Sequence, residues 1–337
     1  CTFNLDTGEI VDRAKAVHGQ LSWVGDTVVA LRTGGKTPTQ IVAYDTSNAS
    51  VDGSWPRRTL AIGSSVDWTD HPALVEPQLL EVSAADGTVL HARLYSSARS
   101  SRSTGDARLL CWVHGGPTDQ WQVTFMPRLN YWIDRGYDVL VPDHRGSTGF
   151  GRAYTQAMRG RWGDLDVDDV AIILEHVVTS MDYDPVRVAL MGSSAGGLNI
   201  LGVAARYPGL ATAVVAAYPV TDIAALDPEN GGSTHRFEAH YNRSLVGDAR
   251  TTAIASLERS PINNAARLVD TPMLVMHGTV DPVVSIEQSR EFVEIVRAAG
   301  GTVEFVEFEG EGHGFRQVDS KVREYEITER FLKTHLA

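Results

Sequence analysis

The pattern of hydrophobic and polar positions changes once along the chain, near residue 75. Before this point, short apolar runs at 28–31 and 41–44 are separated by turns rich in glycine, proline and aspartate, which predicts antiparallel strands. After it, continuous apolar runs alternate with stretches of helical periodicity, which predicts a mostly parallel sheet flanked by helices. We therefore expect two regions, residues 1–72 and 76–337, and an α/β fold class for the second.

Six apolar runs, several of them rich in β-branched residues, predict the strands of the second region. They lie at 109–113, 139–142, 188–191, 213–217, 273–276 and 303–308. Helices are predicted over 164–179, where an acidic first turn suits the helix dipole, and over 286–299, which two glycines end. Because strands and helices alternate, right-handed crossovers should join parallel strands.

Composition narrows the functional class only slightly. The 337 residues are 43% hydrophobic and 21% charged, as in soluble globular proteins, and no apolar run approaches the roughly 20 residues of a membrane span. The net charge of −12 argues against nucleic acid or an anionic membrane as partner, since both favour a basic surface. Cys1 and Cys111 form no disulfide framework, which favours the cytoplasm.

One pentapeptide, Gly192-Ser193-Ser194-Ala195-Gly196, stands between the predicted strand 188–191 and a helical stretch at 198–207. Strand, Gly-x-Ser-x-Gly and helix in this order are typical of a nucleophile elbow, in which the serine projects from a sharp turn. The glycines leave room for the turn and for close helix packing. The pentapeptide also fits an ordinary glycine–serine turn, so the interpretation of Ser194 as a nucleophile depends on the residues that follow.

A serine nucleophile needs a base, and the base needs a carboxylate that orients it. In α/β-hydrolases the acid and then the histidine follow the serine along the chain, each in a loop after a strand. Asp281 comes just after the predicted strand 273–276, and we predict it as the acid. Asp222 and Asp270 are the alternatives.

Only two histidines, His313 and His335, follow Asp281. His313 lies between glycines just past the predicted strand 303–308, whereas His335 is third from the end of a helical tail. A glycine loop can deliver an imidazole to the serine, so we predict His313 as the base. The predicted triad is then Ser194, Asp281 and His313, and this chemistry requires no cofactor. The sequence contains neither a His-Glu-x-x-His nor a Cys-x-x-Cys pattern, so no metal is expected.

The tetrahedral intermediate of such a reaction needs two hydrogen-bond donors for its oxyanion. One donor should be the N–H after the nucleophile, that of Ala195. The second should come from His114-Gly115-Gly116-Pro117, which follows the predicted strand 109–113. Gly116 can turn its N–H towards the site without a side chain in the way, so we predict Gly116 and Ala195 as the oxyanion hole.

The substrate pocket is less clearly marked. Residues 224–261 interrupt the alternation of strands and helices, and a helix near 234–241 would either line the pocket or lie on the surface. We predict Phe237 and Tyr241 on an apolar wall of the pocket. Phe150 is a further wall candidate, with core packing as its alternative role.

Three motifs together resemble a known family. His114-Gly115-Gly116-Pro117, then residues 143–152 (Asp-His-Arg-Gly-Ser-Thr-Gly-Phe-Gly-Arg), then Gly-Ser-Ser-Ala-Gly-Gly at 192–197 are similar to the prolyl oligopeptidase family of serine peptidases. The acylaminoacyl-peptidase and bacterial aminopeptidase-like branch shows the greatest similarity. The resemblance covers residues 76–337. It implies the α/β-hydrolase fold, the triad and the oxyanion hole already predicted.

The resemblance also carries implications for the rest of the protein. Members of this family place a β-propeller before the hydrolase domain, where it gates access to the active site. Residues 1–72 look like its last strands, so we expect the rest of the propeller on a preceding segment or a separate chain, in keeping with a chain that begins at Cys1. Members often assemble, so a homo-oligomer is one expectation. In this family, propeller residues often bind the substrate's N-terminus. The sequence therefore leaves open whether the enzyme is an endopeptidase or an exopeptidase.

The sequence therefore predicts a serine peptidase that hydrolyses short peptides or aminoacyl and acylaminoacyl conjugates through an acyl-enzyme. A carboxylesterase on the same fold is the first alternative, since the same triad hydrolyses esters. A non-catalytic interaction module is the second alternative, and it predicts a damaged triad.

Overall fold

A computed structural model describes residues 1–227, 236–247 and 257–336, with residues 236–239 described by their backbone alone. The chain divides into two compact units. The first comprises residues 1–77, 95–98 and 121–135, and the second comprises 78–94, 99–120 and 136–337. No described helix is both long enough and apolar enough to cross a membrane.

The first unit is built on antiparallel strands, as predicted. A short pair, β1 (Thr2–Phe3) and β2 (Ile10–Val11), precedes a four-stranded sheet in chain order. That sheet contains β3 (Val17–Val24), β4 (Thr27–Gly34), β5 (Thr37–Asp45) and β6 (Arg57–Ile62). Its buried cluster is Val28, Ala30, Val42 and Tyr44, with Trp55 packed against it. Helix α1 (Pro127–Asp134) also belongs to this unit, and the propeller origin of these strands stays a prediction.

The second unit contains an eight-stranded sheet. Its strands are β7 (Gln78–Ser83), β8 (Val89–Tyr95), β9 (Arg108–Val113), β10 (Tyr137–Asp143), β11 (Val188–Ser193), β12 (Ala213–Ala217), β13 (Met273–Gly278) and β14 (Val303–Phe308). Their spatial order is β14-β13-β12-β11-β9-β10-β8-β7. From β10 through β9 to β14 every pairing is parallel, whereas β7 and β8 pair antiparallel at one edge.

All six predicted strands are present, which confirms the mostly parallel α/β-hydrolase sheet. The edge pair β7 and β8 was not predicted. In β7 only Leu80 and Val82 are buried, so this strand lacks the continuous apolar run that marks the interior strands. An edge strand with one face towards solvent alternates instead.

In the described part of the chain, the second unit contains the helices α2 (Arg152–Gln156), α3 (Leu165–Ser180), α4 (Ala195–Arg206), α5 (Arg236–Val246), α6 (Ile286–Ala298) and α7 (Val318–His335). Helices α3 and α6 confirm the two predictions within a residue or two. The Ser285 hydroxyl caps α6 by accepting the Glu287 N–H, and Gly300 follows its end at φ +97°. Fully buried Leu174, Leu201 and Phe292 join helices α3, α4 and α6 to the sheet in one core.

Candidate active site

Ser194 occupies the turn between β11 and α4 in a backbone conformation that side chains rarely adopt, with φ +56° and ψ −123°. Such a conformation costs about 1–3 kcal/mol and persists only where neighbours hold it. Here the Ser194 N–H donates to the Ala217 carbonyl at 3.0 Å, and the Ser194 carbonyl accepts from Leu198 and Val220 at 3.2 Å. The neighbouring strand and the helix thus fix the nucleophile elbow.

The glycines of the pentapeptide are required by close packing. A Cβ on Gly196 would lie 2.5 Å from the Val113 carbonyl oxygen, and one on Gly192 would lie 2.6 Å from the Gly196 carbonyl carbon. Gly197 continues the pattern, since its Cβ would meet that of Pro219 at 2.6 Å. The absence of side chains therefore lets α4 start directly against the sheet and presents Ser194 at its edge.

The structure brings the three predicted triad residues together. The Ser194 hydroxyl lies 2.9 Å from Nε2 of His313, and Nδ1 of His313 lies 2.7 Å from Oδ2 of Asp281. A carboxylate only accepts hydrogen bonds, so Nδ1 carries the proton and Nε2 is left to accept the serine proton. Both distances are within the range required for proton transfer.

The alternative residues lie elsewhere. Asp222 accepts the Ala224 N–H in a turn, and Asp270 is exposed. The His335 ring packs on Phe331 within α7, with centroids 4.6 Å apart. The residues predicted from chain order and from their place after strands are therefore the ones that lie together in the structure.

The Asp281 carboxylate is fully buried and surrounded by donors. Its Oδ1 accepts the N–H groups of Val283 at 2.8 Å and Val284 at 3.0 Å. Burial alone would raise the pKa of Asp281, but hydrogen bonds from His277 and His313, with the Val283 N–H, hold it well below its usual range. Asp281 therefore remains ionised and holds the His313 imidazole in one orientation.

His277, at the end of β13, is a second histidine on Asp281 and was not predicted from the sequence. Its Nε2 lies 3.3 Å from Asp281 Oδ2 and 3.0 Å from the Val284 carbonyl, and its Nδ1 lies 2.7 Å from the Ser289 hydroxyl. Because both partners of Nε2 only accept, Nε2 carries the proton and Ser289 donates to Nδ1. A His-Gly pair that ends an apolar strand four residues before the acid was the available signal.

The loop predicted to supply an oxyanion donor runs beside Ser194. A Cβ on Gly115 would lie 3.6 Å from Ser194 Cβ, and Gly116 has φ +124°. The Ala195 N–H, in the first turn of α4, has no acceptor within the helix and lies at its positive end. Gly116 and Ala195 both line the cavity that Ser194 and His313 share.

His114 holds this loop in place through hydrogen bonds on both of its ring nitrogens. Its Nδ1 lies 2.8 Å from the Gly115 carbonyl and its Nε2 lies 2.8 Å from the Ser147 hydroxyl. Burial, assisted by the charge of the neighbouring His144, lowers the pKa of His114 to about 3. The ring is consequently neutral and locks the Gly115–Gly116 segment by hydrogen bonds on both nitrogens.

A cavity of about 500 Å³ opens beside Ser194 and His313. Its wall is made of aromatic and aliphatic side chains with a few polar groups: Trp162, Tyr218, Val220, Leu226, Tyr241, Val283, Val284, Pro117, Asp119 and Asn242. Tyr241 lines it, as predicted, and Tyr218 adds a ring 4.8 Å from that of His313. The side chain of Phe237 lies outside the described residues.

The prediction for Phe150 is corrected by the structure. Its ring does not line the cavity but stacks on His91, with centroids 3.9 Å apart and planes within 2°. Phe150 also packs on Tyr154, which ties it to the edge of the sheet where β8 lies. In the described part of the chain, no cluster of three histidine, cysteine or acidic side chains could hold a metal ion.

Comparison with known proteins identifies the family. The model of the prolyl oligopeptidase family matches residues 123–337. The acylamino-acid-releasing enzyme of Sus scrofa is 30% identical over 278 residues, which are 80% of this chain and 37% of that protein. The dipeptidyl aminopeptidase BIII of Pseudoxanthomonas mexicana is 31% identical over 269 residues, 77% of this chain and 38% of the relative.

Solved structures agree with this result. A puromycin-hydrolyzing peptidase of Mycobacterium tuberculosis superposes with a TM-score of 0.88 at 28% identity, covering 99% of this chain and 51% of that one. A puromycin hydrolase gives a TM-score of 0.85 at 30% identity, covering 98% of this chain and 49% of that one. The chain thus spans about half the length of these structures and a smaller share of the curated relatives. With its parallel sheet and its serine elbow, the chain belongs to the prolyl oligopeptidase family.

Proposed function

We propose that this chain contains the catalytic domain of a serine peptidase that hydrolyses amide bonds of short peptides or of aminoacyl and acylaminoacyl conjugates. The observation that supports it best is the hydrogen-bonded series from Ser194 through His313 to Asp281, at 2.9 and 2.7 Å. The names of the relatives, which include acylamino-acid-releasing and dipeptidyl peptidases, support the same reaction class.

In the proposed reaction, Ser194 Oγ attacks the scissile carbonyl carbon while His313 Nε2 takes its proton. The carbonyl oxygen becomes an oxyanion held by the N–H groups of Gly116 and Ala195. His313 then returns the proton to the leaving amine as the C–N bond breaks, and an acyl-enzyme remains on Ser194. Water, activated by His313, hydrolyses that ester, and ionised Asp281 stabilises the imidazolium in both halves.

A preceding β-propeller segment would complete the first unit in this proposal. The four-stranded antiparallel sheet supports it, since an open sheet of that size leaves exposed edges. Leu21, Trp23 and Ile62 on its outer strands are also largely exposed, as expected if neighbouring strands cover them.

The test combines a reactive probe with matched substrates. A fluorophosphonate should label the wild-type chain, and neither Ser194→Ala nor His313→Ala should be labelled at a comparable rate. The matched control is His335→Ala, which should be labelled like wild type. Amide and ester derivatives of one amino acid, assayed in parallel, separate peptidase from carboxylesterase, and negligible amide hydrolysis would favour the esterase.

A further inference from the structure

The charge of the cavity beside Ser194 is set by one side chain. Of the described residues that line it, Asp119 is the only one with a carboxylate, and lysine and arginine are absent from this lining. Such a cavity repels a substrate carboxylate and favours a cation. Asp119 is exposed towards the cavity, so a ligand can reach it.

Asp119 is held close to the proposed oxyanion donor. A Cβ on Gly116 would lie 2.9 Å from Asp119 Cβ, and the Asp119 carbonyl accepts the Thr148 N–H at 3.0 Å. Its Oδ1 accepts the N–H of Gln120 at 2.8 Å, while Oδ2 makes no hydrogen bond within the described part of the chain. The loop therefore fixes the carboxylate and leaves one oxygen for a ligand.

Tyr241 lies close enough to Asp119 for its phenol to be affected by the carboxylate charge. Burial raises the pKa of its phenol, a hydrogen bond with Thr118 opposes this, and the nearby Asp119 carboxylate raises it further. Tyr241, Asp119 and Gly116 thus line the same cavity. If an apolar side chain of the substrate packs against Tyr241, the polar backbone of the substrate faces Asp119.

A carboxylate at this position would oppose the reaction unless the substrate supplies a positive charge. Negative charge near the Gly116 N–H disfavours the oxyanion that the same N–H is meant to stabilise. The α-ammonium of the residue under attack is three bonds from its own carbonyl oxygen, or roughly 3 Å away. A carboxylate beside the oxyanion donor is therefore within reach of that ammonium.

We propose that Asp119 binds the α-ammonium of the substrate's N-terminal residue, so that the enzyme is an aminopeptidase that releases one residue at a time. This inference rests on the proposed function. An N-acylated residue offers no cation to Asp119, and a dipeptidyl substrate moves its ammonium about 3.5 Å further along the chain. Free aminoacyl amides should consequently be the preferred substrates.

The experiment compares three coumarin amides: phenylalanyl, acetyl-phenylalanyl and glycyl-phenylalanyl 7-amido-4-methylcoumarin. The wild-type chain should give the highest kcat/KM with the free phenylalanyl amide. Asp119→Asn should lower that value about tenfold to a hundredfold, the range of hydrogen bonds to charged groups, and should not lower the value for the acetylated amide, which has no ammonium for Asp119 to bind. The matched control is Asp182→Asn, an exposed aspartate outside the cavity lining, which should match wild type with all three.

Fluorophosphonate labelling separates the two possible failures. A chain that is not labelled at Ser194 would overturn the proposed function, and this inference with it. A labelled chain that prefers the acetylated or glycyl-phenylalanyl amide, or that hydrolyses none of the three, would overturn the inference alone. So would an Asp119→Asn chain that hydrolyses the free amide like wild type.

Discussion

The Ser289 hydroxyl donates to Nδ1 of His277 at 2.7 Å and thereby supplies the hydrogen bond that the unprotonated ring nitrogen needs. Nε2 then points its N–H at Asp281 and the Val284 carbonyl. All three side chains are buried, so water cannot replace the lost donor if one of them is removed. Ser289, which among the described residues has no hydrogen bond to the proposed triad, is thereby a positioning residue for it.

Ser289→Ala should lower kcat for an aminoacyl amide about tenfold and change KM little. The substitution leaves the His277 Nδ1 unpaired, which weakens the hold on Asp281 and costs about 1–3 kcal/mol of unfolding free energy. Steady-state kinetics and urea unfolding measure the two effects. The control is Ser285→Ala, which removes the cap of the same helix, α6, and costs about 1 kcal/mol but leaves His277 alone.

Comparison of the two substitutions thus distinguishes a loss of stability from a loss of positioning. If Ser285→Ala reduces kcat as much as Ser289→Ala does, loss of stability alone explains both results and the positioning role of Ser289 is wrong. A Ser289→Ala chain with full kcat would contradict it equally.

Gly278→Ala should abolish most activity, because this glycine leaves room for the loop that presents His313. A Cβ there would lie 2.6 Å from the Glu311 carbonyl carbon and 2.6 Å from the Gly312 carbonyl oxygen. The loop would have to move, and a displacement of about 1 Å can cost a hundredfold in rate. Hydrolysis of a coumarin amide, with circular dichroism to confirm folding, provides the measurement.

Gly312→Ala is the matched control in the same loop. Its Cβ would meet Pro282 at 3.7 Å, which is ordinary van der Waals contact, so activity should stay near wild type. Equal losses in both variants would show that chain flexibility, rather than the space beside Gly278, governs the position of His313.

The triad could be predicted from sequence because its physical constraints are local and ordered. Each member follows a strand that its apolar run reveals, and parallel strands bring their carboxyl ends to one edge. Once Ser194 was placed, the chain offered only two histidines beyond Asp281. The same reasoning located the Gly115–Gly116 loop at the end of β9.

The surroundings of the triad could not be predicted in this way. Phe150 had the right character for a pocket wall, but its stacking on His91 depends on β8, the strand next to the sheet edge, whose apolar run His91 and Arg93 interrupt. Tyr218 lines the cavity beside His313 with φ +38°, a backbone conformation that no propensity of tyrosine indicates. Contacts between elements far apart in sequence decide both positions.

His114 should make the stability of the second unit depend on pH. Its pKa is about 3 in the folded chain and near 6.5 when unfolded, so the unfolded chain binds more protons between these values. The contribution of the neutral His114 imidazole to stability is complete above pH 6.5 and is lost as the pH falls through this window. The free energy of unfolding then falls by up to about 1.4 kcal/mol per pH unit. His114→Gln should give a shallower loss of unfolding free energy between pH 6.5 and 5.

Urea unfolding at several pH values tests this, with Ser147→Ala for comparison. Ser147→Ala removes the partner of His114 Nε2 but keeps the buried imidazole, so it should lower stability at every pH and retain the wild-type slope. A His114→Gln chain with the wild-type slope would show that other groups account for the acid sensitivity.

Val283→Phe should change the side chain that the enzyme prefers at the scissile bond. Val283 lines the cavity of about 500 Å³ beside Ser194, and its N–H already holds Asp281, so a larger side chain at this position fills the cavity without removing the backbone contact. Phenylalanyl amides should lose at least about tenfold in kcat/KM relative to alanyl amides, since excluding a few methylene groups costs about 1–3 kcal/mol.

The control is Val280→Phe, three residues earlier in the same loop, where the side chain is 61% exposed and lies outside the cavity lining. It should keep the wild-type ratio between the two substrates. A small fluorophosphonate should label both variants at the wild-type rate, because Ser194 and His313 stay in place. If Val283→Phe lowers hydrolysis of both amides and labelling in parallel, the substitution has displaced Asp281. The prediction that Val283 determines the preferred substrate side chain would then be wrong.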